Sequence, residues 1–297
     1  MRIEKVYFDA EDGMKLVGLL HTSESRDEDK VILSVHGMGS NCLKKRDDII
    51  AELATDNDIS YFTFNSRGNG LINSARTQGA KILQGTVFED VLESYYDIVG
   101  AIKALKEKGY KNIYLQGHSL GSTKIVYTYN KLIENNEVDI LDSIKAVLLL
   151  SLVDLVDVMK VMIKSNPDVD IIKLALEKEK ERKFDYIMET KVAFLPYISV
   201  KTFLRYYRDN QDINFAQYQN NDYDYRELNN IKCPLFMRWG NNKELISLPA
   251  EKIVSICSEK IKNSNKDIGF VDGATHNYVG MEDILGKEII KFIKGIE

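Results

Sequence analysis

A serine between two glycines is the first pattern in this chain that could do chemistry. In the run Gly117-His118-Ser119-Leu120-Gly121, the two glycines leave room for the backbone to pass closely on either side of the serine. The run follows an apolar stretch typical of a buried strand and precedes a stretch typical of a helix, so a sharp strand-to-helix turn is predicted. The first backbone N–H groups of a helix have no partner within it and can stabilise an oxyanion. The pattern therefore predicts a nucleophilic serine.

A serine hydroxyl needs a neighbouring base before it can act as a nucleophile, and that base is usually a histidine. The chain has four histidines: His21 in an edge hairpin, His36 and His118 beside backbone motifs, and His276. His276 follows the last predicted strand, in a loop at the carboxyl end of a parallel sheet, where ligands bind in such folds. We therefore predict that His276 is the base for Ser119.

The elements that must position these residues alternate along the chain. Two segments of alternating polarity, Arg2–Asp9 and Lys15–Thr22, flank an acidic turn with glycine and predict an antiparallel hairpin. Continuous apolar runs such as Lys30–Val35 are typical of strands covered on both faces. Helical periodicity over residues 86–108 predicts a long helix before the strand that leads to the serine. The pattern predicts an α/β fold: a mostly parallel central sheet with an antiparallel N-terminal edge and helices on both faces.

The alternation stops between residues 155 and 228. This segment has a charged, helical stretch and then a run dense in aromatic side chains, with eleven of the chain's 28 aromatic residues between 184 and 225. We therefore predict a single domain over residues 1–297 in which residues 155–228 form an inserted helical cap. Part of the aromatic set is expected to form the core of the cap, and part to line an apolar pocket.

Composition excludes several classes of function. The chain mixes 45 acidic and 40 basic residues along its length, which leaves no basic face for nucleic acid. Its three cysteines are widely spaced without a Cys-x-x-Cys pair, so neither a disulfide framework nor a zinc site is predicted. No apolar stretch approaches the length of a membrane span, and the N-terminus lacks the pattern of a signal peptide. We expect a cytoplasmic protein, and the sequence leaves its oligomeric state open.

Five motifs occur in an order that resembles the α/β-hydrolase-fold serine hydrolases over residues 8–292. They are His36-Gly37-Met38-Gly39, Asn65-Ser66-Arg67-Gly68-Asn69-Gly70, the run from Gly117 to Gly121, Trp239-Gly240 and Gly273-Ala274-Thr275-His276. The run around Arg67 is also similar to a branch of small carboxylesterases related to siderophore and cinnamoyl esterases. The resemblance implies a nucleophile elbow at Ser119 and an oxyanion hole formed by the backbone N–H groups of Met38 and Leu120. It implies neither a metal nor an organic cofactor.

The acid that should orient the histidine is where this chain departs from the family pattern. The family usually places an aspartate shortly after the glycine that ends the penultimate strand, and here that position is Lys243, with Glu244 next to it. We predict that Glu244 is the acid, since its extra methylene could absorb a small backbone offset. Asp154 is the alternative acid, and its structural role would be to cap the first cap helix. Asp272 is expected to brace the loop that carries His276.

Together these residues predict hydrolysis of a carboxylic ester through an acyl-enzyme intermediate. Ser119 attacks the carbonyl, His276 transfers the proton and Glu244 holds the imidazole. The expected partner is a small-molecule ester or thioester. Thioester hydrolysis or acyl transfer on the same residues is a second interpretation. A ligand-binding protein that has lost its chemistry is a third, because the acid position is irregular.

Overall fold

Strands make up the centre of the computed structural model, which describes residues 1–23, 29–77, 79–193, 195–208, 212–242 and 248–296. The strands are, in chain order, β1 (Arg2–Asp9), β2 (Lys15–Thr22), β3 (Lys30–Val35), β4 (Ser60–Asn65), β5 (Asn73–Thr77), β6 (Ala80–Gln84), β7 (Asn112–His118), β8 (Ile144–Leu150), β9 (Ile187–Val192), β10 (Leu195–Ser199), β11 (Leu235–Gly240) and β12 (Lys266–Val271). Eight of them form one sheet in the order β1-β2-β4-β3-β7-β8-β11-β12. The other four form two separate hairpins, β5–β6 and β9–β10.

The pairing of the strands confirms the predicted sheet. From β4 to β12 every neighbouring pair is parallel. β1 pairs with β2, and β2 with β4, in antiparallel register. The N-terminal edge is therefore antiparallel, and the carboxyl ends of the parallel strands meet along one edge, where a site can form.

The described helices are α1 (Lys45–Thr55), α2 (Ser94–Glu107), α3 (Leu120–Glu134), α4 (Val138–Ser143), α5 (Leu155–Lys164), α6 (Ile171–Lys180), α7 (Val200–Tyr207), α8 (Arg226–Asn229), α9 (Ala250–Lys260) and α10 (Glu282–Ile296). Some of these helices cover the two faces of the sheet, and α5, α6 and α7 lie in the segment between β8 and β11. Apolar side chains of α1 and α10 form one core layer with the sheet, and those of α2, α3 and α9 form the other. This arrangement buries the continuous apolar strands on both sides, as their sequences predict.

The helix predicted over residues 86–108 begins later than expected. α2 starts at Ser94, after a short 3₁₀ turn whose N-cap, Asp90, accepts a hydrogen bond from the backbone N–H of Leu92. Residues 86 and 87 instead donate backbone hydrogen bonds to Gly70 and Leu71. Val87 is fully buried within a turn over residues 86–88, so its place in the apolar pattern does not come from a helical face.

The segment 155–228 lies between β8 and β11 in the chain and contains α5, α6, α7 and all but the last residue of α8. It also contains the β9–β10 hairpin, which the prediction of a helical segment missed. β9 alternates exposed and buried side chains, with Met188, Thr190 and Val192 buried. The alternation is short and follows the helical stretch of α6, which explains why the sequence pattern did not indicate a strand. The core of this segment includes Leu120 of the serine turn, so it continues into the sheet domain.

Candidate active site

Ser119 lies on the turn between β7 and α3 in a backbone conformation that few side chains adopt. Its φ angle is 57°, in the left-handed region. The flanking glycines are required by space, since a Cβ on Gly117 would lie 2.5 Å from the carbonyl carbon of Gly121. A Cβ on Gly121 would lie 2.2 Å from the carbonyl oxygen of Val35. The backbone N–H of Ser119 donates to the carbonyl of Leu150 at 2.8 Å, which ties the turn to β8.

His276 follows β12 and is held by its main chain. Its carbonyl oxygen accepts hydrogen bonds from Nε2–H of His118 at 2.7 Å and from the hydroxyl of Ser151 at 3.3 Å. The rings of His118 and His276 have their centroids 5.0 Å apart. Ser119 and His276 line the same cavity, so the structure brings the predicted nucleophile and base to one place.

His118 is a neutral brace for this loop. Its burial, followed by the positive charge of Arg46 and the neighbouring His276, holds the pKa of His118 well below its usual range. A neutral imidazole with its proton on Nε2 donates to the carbonyl of His276, which is the hydrogen bond in the structure. The histidine of the serine motif therefore positions the second histidine.

The loop after β3 packs against the serine turn. A Cβ on Gly37 would lie 3.0 Å from Cβ of Ser119. His36 fixes this loop, because its Nδ1–H donates to the carbonyl of Gly37 at 2.9 Å and its Nε2 accepts from the backbone N–H of Ser66 at 3.2 Å. Burial lowers the pKa of His36 to about 3, which keeps the imidazole neutral. Met38 and Leu120, the two predicted oxyanion-hole residues, both line the cavity beside Ser119.

The cavity has a volume of about 510 Å³, and its lining residues are of two chemical kinds. The apolar lining consists of Met38, Leu120, Val153, Leu155, Val158 and Val279. The polar lining includes Ser40, Lys44, Lys45, Arg46, His118, Ser119, His276, Asn277 and Glu282. An apolar cavity with a few convergent polar groups is the usual form of a small-molecule site.

Solved structures with the same architecture cover almost the whole chain. Est1E from Butyrivibrio proteoclasticus is 15% identical, with a TM-score of 0.67, and the match covers 98% of each chain. An esterase from Pyrococcus furiosus is 18% identical, with a TM-score of 0.64, over 99% of this chain and 91% of that one. The α/β hydrolase domain-containing protein 10 from mouse is 13% identical, with a TM-score of 0.61, over 99% and 100%.

The protein has the α/β-hydrolase fold. No family model and no curated protein sequence matches the chain. The identities of these structures are low, so the likeness concerns the fold. The predicted resemblance is confirmed at that level.

In this α/β-hydrolase fold, Asp154 is the one of the two candidate acids that lies among the described residues. Glu244, the predicted acid, and Lys243 lie outside the described residues. Asp154, the alternative, is the N-cap of α5. Its Oδ1 accepts hydrogen bonds from the backbone N–H of Val156 at 3.0 Å and from the side-chain amide of Asn214 at 2.9 Å. Burial raises the pKa of Asp154.

Asp272 and Asn241 connect the loops after β11 and β12. Nδ2 of Asn241 donates to Oδ1 of Asp272 at 2.8 Å, and Oδ1 of Asn241 accepts from the backbone N–H of Gly273 at 2.7 Å. These bonds tie the beginning of the loop that carries His276 to its neighbour, which is the bracing role expected of Asp272.

Arg67 fixes the turn after β4 through a buried ionic network. Its guanidinium donates to Oδ1 of Asp97 at 2.7 and 3.0 Å, and its backbone N–H donates to Oδ2 at 2.8 Å. Asp12 and Glu93 lie 2.9 and 3.1 Å from the same guanidinium. The side chain of Arg67 thus holds the turn in place through its contacts with three carboxylates.

Sequence reasoning missed a second buried ion pair, between Lys124 of α3 and Glu89. Lys124 Nζ lies 2.5 Å from Oε1 of Glu89, and both side chains are fully buried. The carboxylate packs on Gly68, where a Cβ would lie 2.1 Å from Oε1. The signal in the sequence is that Lys124 carries the one formal charge between residues 112 and 130, with histidine counted as neutral. A single lysine in such an apolar stretch indicates a buried partner.

Within the described ranges, no group of three or more histidine, cysteine, aspartate or glutamate side chains could hold a metal ion. No described helix has the length and apolar character that crossing a membrane requires.

Proposed function

We propose that this protein is a serine hydrolase that cleaves a carboxylic ester. The observation that carries the proposal is the strained turn that presents Ser119 to a cavity also lined by His276, Met38 and Leu120. Ser119 has a positive φ angle and lies between two positions that only glycine can fill. Backbone strain of this kind persists where the surrounding structure enforces it, and in this turn it exposes the serine hydroxyl as a nucleophile. Several proteins with the same fold are named as esterases.

In the proposed reaction, the hydroxyl of Ser119 attacks the ester carbonyl while Nε2 of His276 takes its proton. The backbone N–H groups of Met38 and Leu120 would stabilise the oxyanion of the tetrahedral intermediate. The intermediate collapses as His276 gives the proton to the leaving alcohol, and an acyl-enzyme remains. Water then attacks the acyl group, with His276 again as base and then acid, to release the carboxylic acid and restore Ser119.

Glu244 is the proposed acid that orients the imidazole of His276. Two features favour it over Asp154. It follows β11 in the chain, where the family pattern places the acid. Asp154 already serves as an N-cap and as the partner of Asn214. An acid that holds the correct tautomer of the base stabilises the imidazolium formed in both steps.

We further propose that residues 155–228 act as a cap over this site. The first cap helix contributes Leu155 and Val158 to the apolar wall of the cavity, next to Val153. Its position is fixed by the hydrogen bonds of Asp154 and by Asn214, whose Oδ1 accepts from the backbone N–H of Leu155 at 3.0 Å. The apolar portion of the substrate would pack on this wall.

Labelling with a fluorophosphonate probe tests the nucleophile. We expect the probe to modify Ser119 in the wild-type protein and to leave a Ser119→Ala variant unmodified. Labelling that is absent from the wild type, or that persists in the variant, would contradict the proposal.

A substrate panel tests the reaction. Short nitrophenyl esters, a hydroxycinnamate ester and acyl-CoA thioesters should be compared by kcat/KM. The hydroxycinnamate ester is included because Est1E has been solved with ferulic acid bound. Faster hydrolysis of the oxygen esters supports an esterase, and a strong preference for the thioesters would replace it with a thioesterase on the same residues. Binding without turnover, together with an unlabelled serine, would indicate a ligand-binding protein.

A further inference from the structure

Three consecutive basic residues line one side of the cavity. Lys44, Lys45 and Arg46 lie at the beginning of α1, where Lys44 is the N-cap and makes no capping hydrogen bond through its side chain. The N-terminus of a helix carries a partial positive charge, which adds to these three. Glu282 is the one carboxylate among the described residues that line the cavity, and it begins α10. The wall therefore has an excess of positive charge.

Arg46 is buried but has few hydrogen bonds. Its side chain is 6% exposed, and its Nη2 donates to Oδ2 of the adjacent Asp47 at a long 3.2 Å. Its Nε is buried and has no hydrogen-bond partner in the part of the chain that the structure describes. The other oxygen of Asp47 accepts from the hydroxyls of Ser34 and Tyr61. Buried donors are normally paired, and a guanidinium offers five of them, so Arg46 has unused capacity beside the cavity.

The positive charge of this wall reaches the proposed reaction centre. After burial, the charge of Arg46 is the next largest cause of the lowered pKa of His118, and Lys44 contributes in the same direction. His118 directly precedes Ser119 in the chain. A substrate held at Ser119 therefore lies within the field of the basic wall, since a partly buried charge is only weakly screened.

We propose that the substrate of this site is an ester that carries a carboxylate a few bonds from the scissile carbonyl. The carboxylate binds against Lys44, Lys45 and Arg46, and the apolar part packs on Val153, Leu155 and Val158. Glu282, at the beginning of α10, is the one carboxylate in the described lining, so the three basic residues remain in excess over it. This inference rests on the proposed function, because it names the substrate class of the same site.

Two pairs of esters test the inference, and they distinguish a carboxylate on the acyl side from one on the alcohol side. Monoethyl adipate against ethyl pentanoate tests the acyl side by ethanol release. Para-acetoxybenzoate against its methyl ester tests the alcohol side by acetate release. We expect kcat/KM to be about tenfold or more higher for the anionic member of at least one pair, the size of one hydrogen bond between charged partners. The part of the preference that comes from the exposed Lys44 and Lys45 should shrink as salt is added, and the part from the buried Arg46 should persist. Neutral preference in both pairs would overturn the inference.

The double variant Lys44→Gln, Lys45→Gln tests the wall itself at two exposed positions. The ratio of kcat/KM for the anionic ester to that for its neutral partner should fall about tenfold, and Arg46→Gln should lower it in the same direction. Lys287→Gln is the matched control, because Lys287 is an exposed lysine that pairs with Asp283 outside the cavity. In the Lys287→Gln variant, the ratio of the two kcat/KM values should equal that of the wild type. Should Arg46→Gln fail to fold, the exposed double variant still decides the question.

Failure of this inference is distinct from failure of the proposed function. Suppose that Ser119 is labelled, that neutral esters are cleaved, and that the lysine substitutions leave the ratio of kcat/KM for the anionic ester to that for its neutral partner unchanged. In that case the anionic substrate is wrong and the proposed esterase activity stands. If Ser119 is not labelled and no ester of either kind is cleaved, both proposals are wrong.

Discussion

The two sides of the cavity are built by different means. On the sheet side, the backbone fixes the site. Ser119 lies in a turn with a positive φ angle, its two neighbouring glycines occupy positions with no space for a side chain, and its N–H donates to the carbonyl of Leu150. On the side formed by α1 and α5, the lining consists of side chains, such as Arg46 and Val158, that point from helices. Residues on the sheet side tolerate almost no substitution. Residues on the side formed by α1 and α5 can be substituted, which changes the chemistry of the lining without altering the serine turn.

This difference separates the reaction from the choice of substrate. Substitutions on the sheet side should abolish turnover, and substitutions on the helical side should alter which ester is preferred. Substitutions of the buried residues that support these two sides should lower the free energy of unfolding. Variants at each of these places can contradict this division.

Ser119→Ala and His276→Ala should have the largest effect. We expect each to lower kcat by on the order of 10⁴-fold or more, and the double variant to be little worse, because the two residues act as one unit. Steady-state kinetics with a nitrophenyl ester, on protein with unchanged circular dichroism, measures this. Additive losses in the double variant would show that the two residues act independently.

Glu244→Gln should lower kcat by on the order of 10⁴-fold, since the imidazole loses the group that sets its tautomer. Asp154→Asn is the matched change at the alternative acid. Its Oδ1 accepts both hydrogen bonds described above, and an amide oxygen can accept them as well, so the loss should stay below about tenfold. The reverse order of effects would move the acid to Asp154.

Breaking the ion pair beneath the turn should cost stability. Lys124→Met or Glu89→Gln each removes one partner of a fully buried pair, and we expect a loss of about 3–5 kcal/mol in the free energy of unfolding. Replacing both with apolar residues should cost less, because no unpaired charge remains. Urea denaturation of the single and double variants measures this. Equal losses in all three would mean that packing, not charge, decides.

Acid should weaken the fold through its neutral histidines. The pKa of His36 is lowered on folding to about 3, so the unfolded chain takes up a proton that the folded chain refuses. This contribution is fully present above pH ~6.5 and is lost as the pH falls toward about 3. From His36 alone we expect a loss of about 2 kcal/mol at about pH 5. A nuclear magnetic resonance titration in which His36 becomes protonated between about pH 7 and pH 5 would contradict it.

Val158→Ala should have the smallest effect and act on substrate preference. Shortening this side chain on the apolar wall should raise KM for longer acyl esters by about two- to tenfold and leave acetate esters nearly unchanged. Val161→Ala is the control on the same helix, because Val161 is exposed. Equal effects of both substitutions would place the acyl group elsewhere.

The sequence predicted the sheet side of the site well because that side depends on local rules. The glycines around Ser119 and the strand before it specify their own geometry, and β7, β12 and the His276 loop lie where the pattern placed them. The remainder depends on contacts between distant residues. Residues 86–90 fit the helical periodicity, but residues 86–88 form a turn instead, in which the backbone N–H groups of residues 86 and 87 donate to Gly70 and Leu71 after β4. The partner of Lys124 could not be identified from a lysine alone.

The ionic contacts of residues 86–90 have a consequence for attempts to exchange the segment 155–228 between proteins of this fold. α7 of that segment is attached by Arg205, which contacts both oxygens of Asp90 at 3.1 and 2.9 Å, and by Thr202, which donates to the carbonyl of Glu89 at 3.1 Å. Glu89 in turn pairs with Lys124 of the serine helix. A chimera cut at the ends of the segment would separate these partners. A transplant that works must carry residues 86–90 and position 124 with it.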